Sequence, residues 1–288
     1  MGNRIDIEDN LVIERYNELK NIKKVAISFG VSTRPIKRIL DKNKIFLTNR
    51  RYDVNHSYFE VIDTEEKAYW LGFLFADGCV RKTKSGSQLV LKLSIKDEEH
   101  LNLFKKNIES EHKIVYAESR VITKNNVLSV SNNCSLRINS NELVENLINQ
   151  GCVPRKTFTI ERPKINNNLI RHFIRGFYDG DGNFFYSEKT KMSVMTIVCA
   201  SDKFRQFLIE VISSISGIGK IHLDEKKYTI KLVNIEGIMN FLSYIYDNSS
   251  VELKRKKEYY EKYREYRERV ESNYKRGLCG SYVKTSGK

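Results

Sequence analysis

Two aspartates, Asp77 and Asp181, stand in matching surroundings. Residues 69–80 read YWLGFLFADGCV and residues 173–184 read FIRGFYDGDGNF, so both carry G-F-x-x-x-D-G. Each aspartate would close a helix, with Gly78 or Gly182 as the glycine that stops it. A carboxylate at a helix C-terminus opposes the macrodipole by roughly 0.3–1 kcal/mol. Doing so twice, at equivalent places, calls for a compensating cation. Small residues lie four apart before each acid, Gly72 and Ala76, then Gly176 and Gly180. That spacing puts them on one helix face. Tolerating helical glycine at about 1 kcal/mol each points to two helices packed backbone to backbone. The two carboxylates then converge at one end of the pair. Two acids there can hold Mg²⁺, a hard ion whose other oxygens come from water and phosphate. The chemistry would be hydrolysis of a phosphodiester by a metal-activated water. A lone D-G reads as a turn; the repetition is what argues against that here.

The elements needed to position these acids recur as well. After Asp77 come a strand over 89–95 and an amphipathic helix over 98–108. After Asp181 come a strand over 192–199 and a helix over 203–215. The interval from motif aspartate to helix-start aspartate (Asp97, Asp202) is 20 residues in one half and 21 in the other. A further strand in each half sets a basic residue between apolar ones, Leu136-Arg137-Ile138 and Ile230-Lys231-Leu232, before helices over 141–149 and 236–246. Both halves then reach Arg-Lys, at 155–156 and 255–256, spaced 79 and 75 residues from aspartate to lysine. A duplicated αββαββα unit accounts for this order, giving an α+β fold with pseudo-two-fold symmetry.

Ahead of the repeats, residues 10–19, 22–29 and 33–41 read as three short helices. Small Ala26, turn-forming Gly30, and apolar Val31, Ile36 and Ile39 fall at helix-turn-helix spacing, with Ser32 as N-cap and Pro35 in the third helix's first turn. Thr33, Arg34, Lys37 and Arg38 lie off the buried stripe and are the DNA-facing candidates. The bland alternative is a three-helix module with a cationic outer face. The expected organisation is a helix-turn-helix over 1–48, a linker over 49–62, repeats over 63–160 and 161–270, and a basic tail over 271–288.

The net charge of +14 over 288 residues favours a polyanionic partner, since neutralised phosphates release counterions. Nine Lys/Arg and one acid fall between Lys20 and Arg50. No apolar run approaches the roughly 20 residues of a membrane span, and no signal-peptide core is evident at the start. A cytoplasmic location is therefore expected. Five scattered cysteines without C-x-x-C form neither a disulfide framework nor a zinc site. Cys79, Cys152 and Cys199 are expected in the core.

The paired motifs resemble those of single-chain LAGLIDADG homing endonucleases, with IRGFYDGDG the closer match and WLGFLFADG the weaker. The resemblance spans about residues 63–265. It implies two αββαββα halves forming a saddle over DNA, and hydrolysis of both strands across the minor groove. It also implies Mg²⁺, with Mn²⁺ as a substitute, bound by Asp77 and Asp181. Ala76 and Gly180, just before the acids, are counted in the metal site. Lys156 and Lys256 match the basic residue that flanks each site; for Lys256 the alternative is a charged, solvated helix surface. Lys96 and Ser201 match the polar, water-positioning place after the second strand. Phe75 departs from the pattern where the other half has Asp179, and Ser201 is a weaker partner than Lys96, so the two strand-cutting sites are expected to differ.

Strand alternation sends Leu89, Leu91, Leu93 and Ile95 under the sheet, and Lys92, Ser94 and Lys96 outward. Arg137 and Lys231 hold matching outward positions, and Lys82 is expected on a loop over 81–87 that can touch DNA. The implied partner is double-stranded DNA with a long, asymmetric site, bound by a monomer. Two other functions fit the same features, a DNA-binding transcription regulator that does not cleave and an RNA maturase assisting intron splicing.

Overall fold

In the computed structural model the chain is described over residues 7–43, 45, 52–83, 86–122 and 128–275. It divides between Asp53 and Val54 into two compact units.

The small unit is three helices, α1 (Asp9–Leu19), α2 (Ile22–Ser28) and α3 (Thr33–Lys42). Val12, Tyr16, Val25, Ala26, Ile36 and Leu40 make its core. Asn21 caps α2 by accepting from the Lys23 and Lys24 amides at 3.0 and 3.2 Å. Gly30 takes φ +64° in the turn, and the Val31 amide bonds back to Ala26 O at 3.0 Å. Ser32 is at the N-cap position of α3 but its side chain makes no capping bond. Lys42 fastens the end of α3 to Asp9 at 2.8 Å.

The large unit is built twice. The first half runs α4 (Glu65–Ala76), β1 (Gly78–Thr83), β2 (Gly86–Ser94), α5 (Glu98–Asn107), β3 (Val115–Ile122), β4 (Leu128–Asn139) and α6 (Asn141–Asn149). The second runs α7 (Ile170–Asp181), β5 (Gly182–Ser187), β6 (Met192–Val198), α8 (Asp202–Ser213), β7 (His222–Asp224), β8 (Thr229–Leu232) and α9 (Ile235–Tyr246), and α10 (Lys254–Lys275) follows. Each half folds one antiparallel four-stranded sheet, in the orders β1-β2-β4-β3 and β5-β6-β8-β7. The α+β class and the duplication are thus as the repeat implies.

The two sheets share one core, which α4 and α7 cross at its centre. Leu89, Leu91 and Leu93 of β2 and Met195 and Ile197 of β6 face it, and the alternate residues face away. Two expectations change here. The alternation ends at Ser94, because residues 95–97 form a 3₁₀ turn, and Ile95 is exposed. Cys79 is exposed, since it lies on the outer face of β1 opposite Val90. Cys152 and Cys199 are buried, as is Cys134; Cys279 lies outside the described residues.

Residues 54–62, read as part of a linker, supply Val54, Tyr58, Phe59 and Ile62 to the large core. Val54, Tyr58 and Ile62 fall four apart with Phe59 beside one of them, a spacing that reading the stretch as a linker passed over. Of the tail, residues 271–275 continue α10 and residues 276–288 lie outside the described residues.

Candidate active site

The site begins with two glycines. A Cβ on Gly72 would lie 2.0 Å from Phe173 O, and one on Gly176 would lie 1.9 Å from Tyr69 O. No residue larger than glycine fits either place, so α4 and α7 meet with their backbones in contact. Four residues on, a Cβ at Gly180 would lie 2.3 Å from Ala76 Cβ and 3.3 Å from Asp77 Oδ2. The contact runs to the last turn of both helices, and delivers Asp77 and Asp181 to one end. Gly78 and Gly182 are required for closeness rather than for a left-handed backbone. Gly182 is extended (φ −88°, ψ 154°), and a Cβ there would strike the Tyr178 ring, as one on Gly78 would strike Leu74 O at 2.6 Å.

Both carboxylates reach solvent, yet the protein around them removes enough hydration to shift them. Burial raises Asp77 above the usual carboxylate range, with Asp97 adding to it and Lys156, Lys256 and Arg255 opposing. Burial and the charge of Asp77 push Asp181 up to about 6, against the pull of Lys156 and Lys256. The two acids repel each other, the condition a shared cation relieves.

Each lysine lies over the end of its own helix. Lys156 Nζ donates to Ala76 O at 2.5 Å. Lys256 Nζ donates to Tyr178 O at 2.8 Å and Gly182 O at 2.5 Å. Cations there offset the negative helix ends. Burial lowers Lys256 to about 8, with Arg255 pushing the same way and Asp179, Asp77 and Asp181 opposing. Lys256 is the third residue of a charged helix, but its side chain turns into the site rather than onto that surface.

Lys96 is exposed on the 3₁₀ turn, and it is its neighbour Asp97 that acts on Asp77. Ser201 is only 2% exposed, and its hydroxyl donates to Ile160 O at 2.5 Å, so it fastens the segment after Lys156 instead of facing water. The Ala76 carbonyl is engaged by Lys156. Lys92, Ser94, Arg137 and Lys231 are exposed on the outer sheet faces, Lys92 reaching Ser119 Oγ at 3.3 Å.

Lys82 departs from expectation. It sits on β1, in register with Ser87, and pairs with Glu145 of α6 at 2.5 Å, on the helix side of the sheet. Thr33, Arg34, Lys37 and Arg38 are exposed on α3 of the small unit.

Sequence reasoning passed over the Asp97–Arg255 pair, bidentate at 2.7 and 3.0 Å, and the buried Asp179, which accepts from Tyr69 OH at 2.8 Å, Tyr246 OH at 2.6 Å and the Leu253 amide at 2.7 Å. The signal for both was adjacency: Arg255 precedes Lys256, and Asp179 is two residues from Asp181.

Two stretches, residues 66–135 and 170–266, match the model of the WhiA LAGLIDADG-like domain. Together they cover more than half of the chain, and each contains one of the aspartates. The chain belongs to the WhiA LAGLIDADG-like domain family. The match leaves out the N-terminal three-helix unit of this WhiA-type chain and the segment that carries Lys156.

Among solved structures, the WhiA-type chain is similar to the LAGLIDADG meganuclease I-CpaMI bound to uncleaved DNA (14% identity, 74% of this chain, 93% of that one, TM-score 0.45). It is also similar to the homing endonuclease I-WcaI bound to its DNA recognition sequence (12%, 66% and 84%, TM-score 0.43). A third similar structure is the N-terminal LAGLIDADG domain of DUF199/WhiA (15%, 70% and 92%, TM-score 0.38). No curated protein sequence matches it.

Proposed function

We propose that this WhiA-type chain is a divalent-metal-dependent endonuclease that cuts both strands of DNA at a long, asymmetric site and works as a monomer. The observation that carries the reading is the convergence of Asp77 and Asp181, one from each half, at the end of a helix pair that only glycine permits. Asp181 is held at about 6 by burial and by Asp77, a cost that a pure binding protein would gain nothing from keeping.

The donor set suits Mg²⁺. Among the described residues no cluster of three or more His, Cys, Asp or Glu side chains could hold a metal, which disfavours Zn²⁺ or an all-protein Ca²⁺ cage. Two carboxylates are what Mg²⁺ takes when phosphate and water supply the rest. When bound there, Mg²⁺ would supply Lewis-acid stabilisation of the phosphate and a more acidic water. The protein's own part is placement. Asp77 and Asp181 would hold the ion. Lys156 and Lys256 would set positive charge beside the phosphate, and Lys256, lowered to about 8, could give or take a proton near neutral pH. Arg137, Lys231, Lys92 and Ser94 on the outer sheet faces would meet bases and phosphates. Thr33, Arg34, Lys37 and Arg38 on α3 would add a helix-turn-helix contact.

The test uses a plasmid library carrying random inserts, incubated with the full chain and Mg²⁺ or EDTA. Linear products that share a sequence at their ends, and only with Mg²⁺, support the reading. A site that is enriched by binding but never cut in Mg²⁺ or Mn²⁺ refutes it.

A second reading, a DNA-binding regulator that does not cleave, is favoured by membership of the WhiA-type family and by the Lys156 ammonium seated on the Ala76 carbonyl. Metal-independent binding without cutting would establish it.

A further inference from the structure

Corresponding positions on the two motif helices are 104 residues apart, so Tyr69 corresponds to Phe173 and Phe75 to Asp179. Across the helix pair, one of these contacts is polar and its mate is apolar. Tyr69 OH donates to Asp179 at 2.8 Å, whereas the Phe75 and Phe173 rings pack edge to face at 5.0 Å. The third members differ in the same sense. His100 Nε2 lies 2.9 Å from Tyr69 OH, and Phe204 packs on both Phe75 and Phe173.

Burying Asp179, 1% exposed, is costly unless its oxygens are satisfied. Three donors satisfy them, and one is the backbone amide of Leu253 at 2.7 Å. Leu253 is the residue before α10, and its carbonyl in turn accepts the Lys256 amide at 2.8 Å. The surrounding stretch is tied down at every step. The Ser250 amide donates to Glu65 at 2.7 Å, and Arg175, fully buried, donates to Val251 O at 2.8 Å and to Glu65 at 2.6 Å. Arg255 grips Asp97 with two bonds. The segment that carries Lys156 has the Phe75 ring in place of that carboxylate, 3.2 Å from where a Cβ on Gly151 would lie.

We infer that Asp179 is a positioning residue for Lys256: it fixes the Leu253 amide, and so sets where α10 begins and where its third residue delivers an ammonium. The segments that lead to the two lysines therefore meet different groups on the motif helices, a buried carboxylate at Leu253 and the Phe75 ring at Gly151. This rests on the nuclease reading only for its effect on cutting; the effect on the position of α10 stands apart from it. Asn at this position has a single acceptor oxygen and a donating amide, so it cannot receive all three bonds.

The experiment is Asp179→Asn in the full chain, with two readouts. The first is amide exchange by mass spectrometry. Peptides covering 250–258 should exchange about tenfold faster, while peptides covering 149–158 stay as in the wild type. Equal acceleration in both regions, or none in either, would overturn the positioning role. The second is nicking of each labelled strand of a bound DNA site, with Lys256→Met defining which strand depends on Lys256. Asp179→Asn should slow that same strand about tenfold more than the other. Equal slowing of both strands would overturn the role in cutting. If the wild type nicks neither strand, the nuclease reading fails, and the exchange result alone decides the positioning claim. Should Asp179→Asn fail to fold, Tyr246→Phe removes one donor and keeps the carboxylate, and the 250–258 peptides should still be the ones that change.

Discussion

Gly72 and Gly176 exchange a reciprocal contact, each lying where any side chain atom would fall within about 2 Å of the other helix's backbone, at Phe173 O and Tyr69 O respectively. This is what brings two acids 104 residues apart in sequence to one end of a helix pair.

Gly72→Ala and Gly176→Ala should each destabilise the large unit. The obstacle is backbone, which cannot rotate away, so the cost falls at about 3 kcal/mol or more, the upper end for overpacking. It outweighs the gain of about 1 kcal/mol from replacing a helical glycine. Urea midpoints measure this. A neutral or stabilising alanine at either position would mean the helices are not in backbone contact.

The acids themselves predict a pH dependence. Folding raises Asp181 to about 6, so between about 4 and 6 the folded chain keeps a proton that the unfolded chain has released. Ionisation at Asp181 then opposes folding, not at all at the low end of that window and fully above it. In metal-free buffer, Asp181→Asn should raise Tm at pH 7.5, and the gain should shrink towards zero near pH 4. A gain that grows as pH falls would contradict the assignment. With Mg²⁺ present the wild type should recover part of the difference, because a cation bound only to the folded state stabilises it.

Much of this was legible in the residues, because a repeat tests itself. The motif, the strand carrying Arg137 or Lys231, and the Arg-Lys pair recur in order, so the duplicated α+β fold followed from spacing. What escaped was set by tertiary geometry. Alternation along 89–95 could not reveal that the strand ends at Ser94 and that a 3₁₀ turn exposes Ile95. Ser201 matched Lys96 by position, yet its hydroxyl is drawn to Ile160 O, a partner 41 residues away that no local pattern marks. Lys82 looked like a loop cation until the register of β1 with β2 put it beside Glu145. Gly78 and Gly182 were recognisable as necessary, but the reason was the Leu74 and Tyr178 atoms behind them rather than the backbone angle.

The cations of α3 predict a salt dependence. If Arg34 and Lys37 neutralise phosphates, replacing both by alanine in the full chain should reduce the slope of log K against log salt by about 0.9 per lost contact. Fluorescence anisotropy on one selected DNA site between 50 and 200 mM salt would show it. An unchanged slope and affinity would remove the three-helix unit from DNA binding.

The measurement closest to the central claim compares binding and cutting of one selected DNA site by the wild type and by Asp77→Asn/Asp181→Asn. The wild type should cut both strands in Mg²⁺, and the double variant should bind within a few-fold of it and cut neither. Undiminished cutting by the double variant, or tight binding by a wild type that cuts in no divalent metal, would contradict the account.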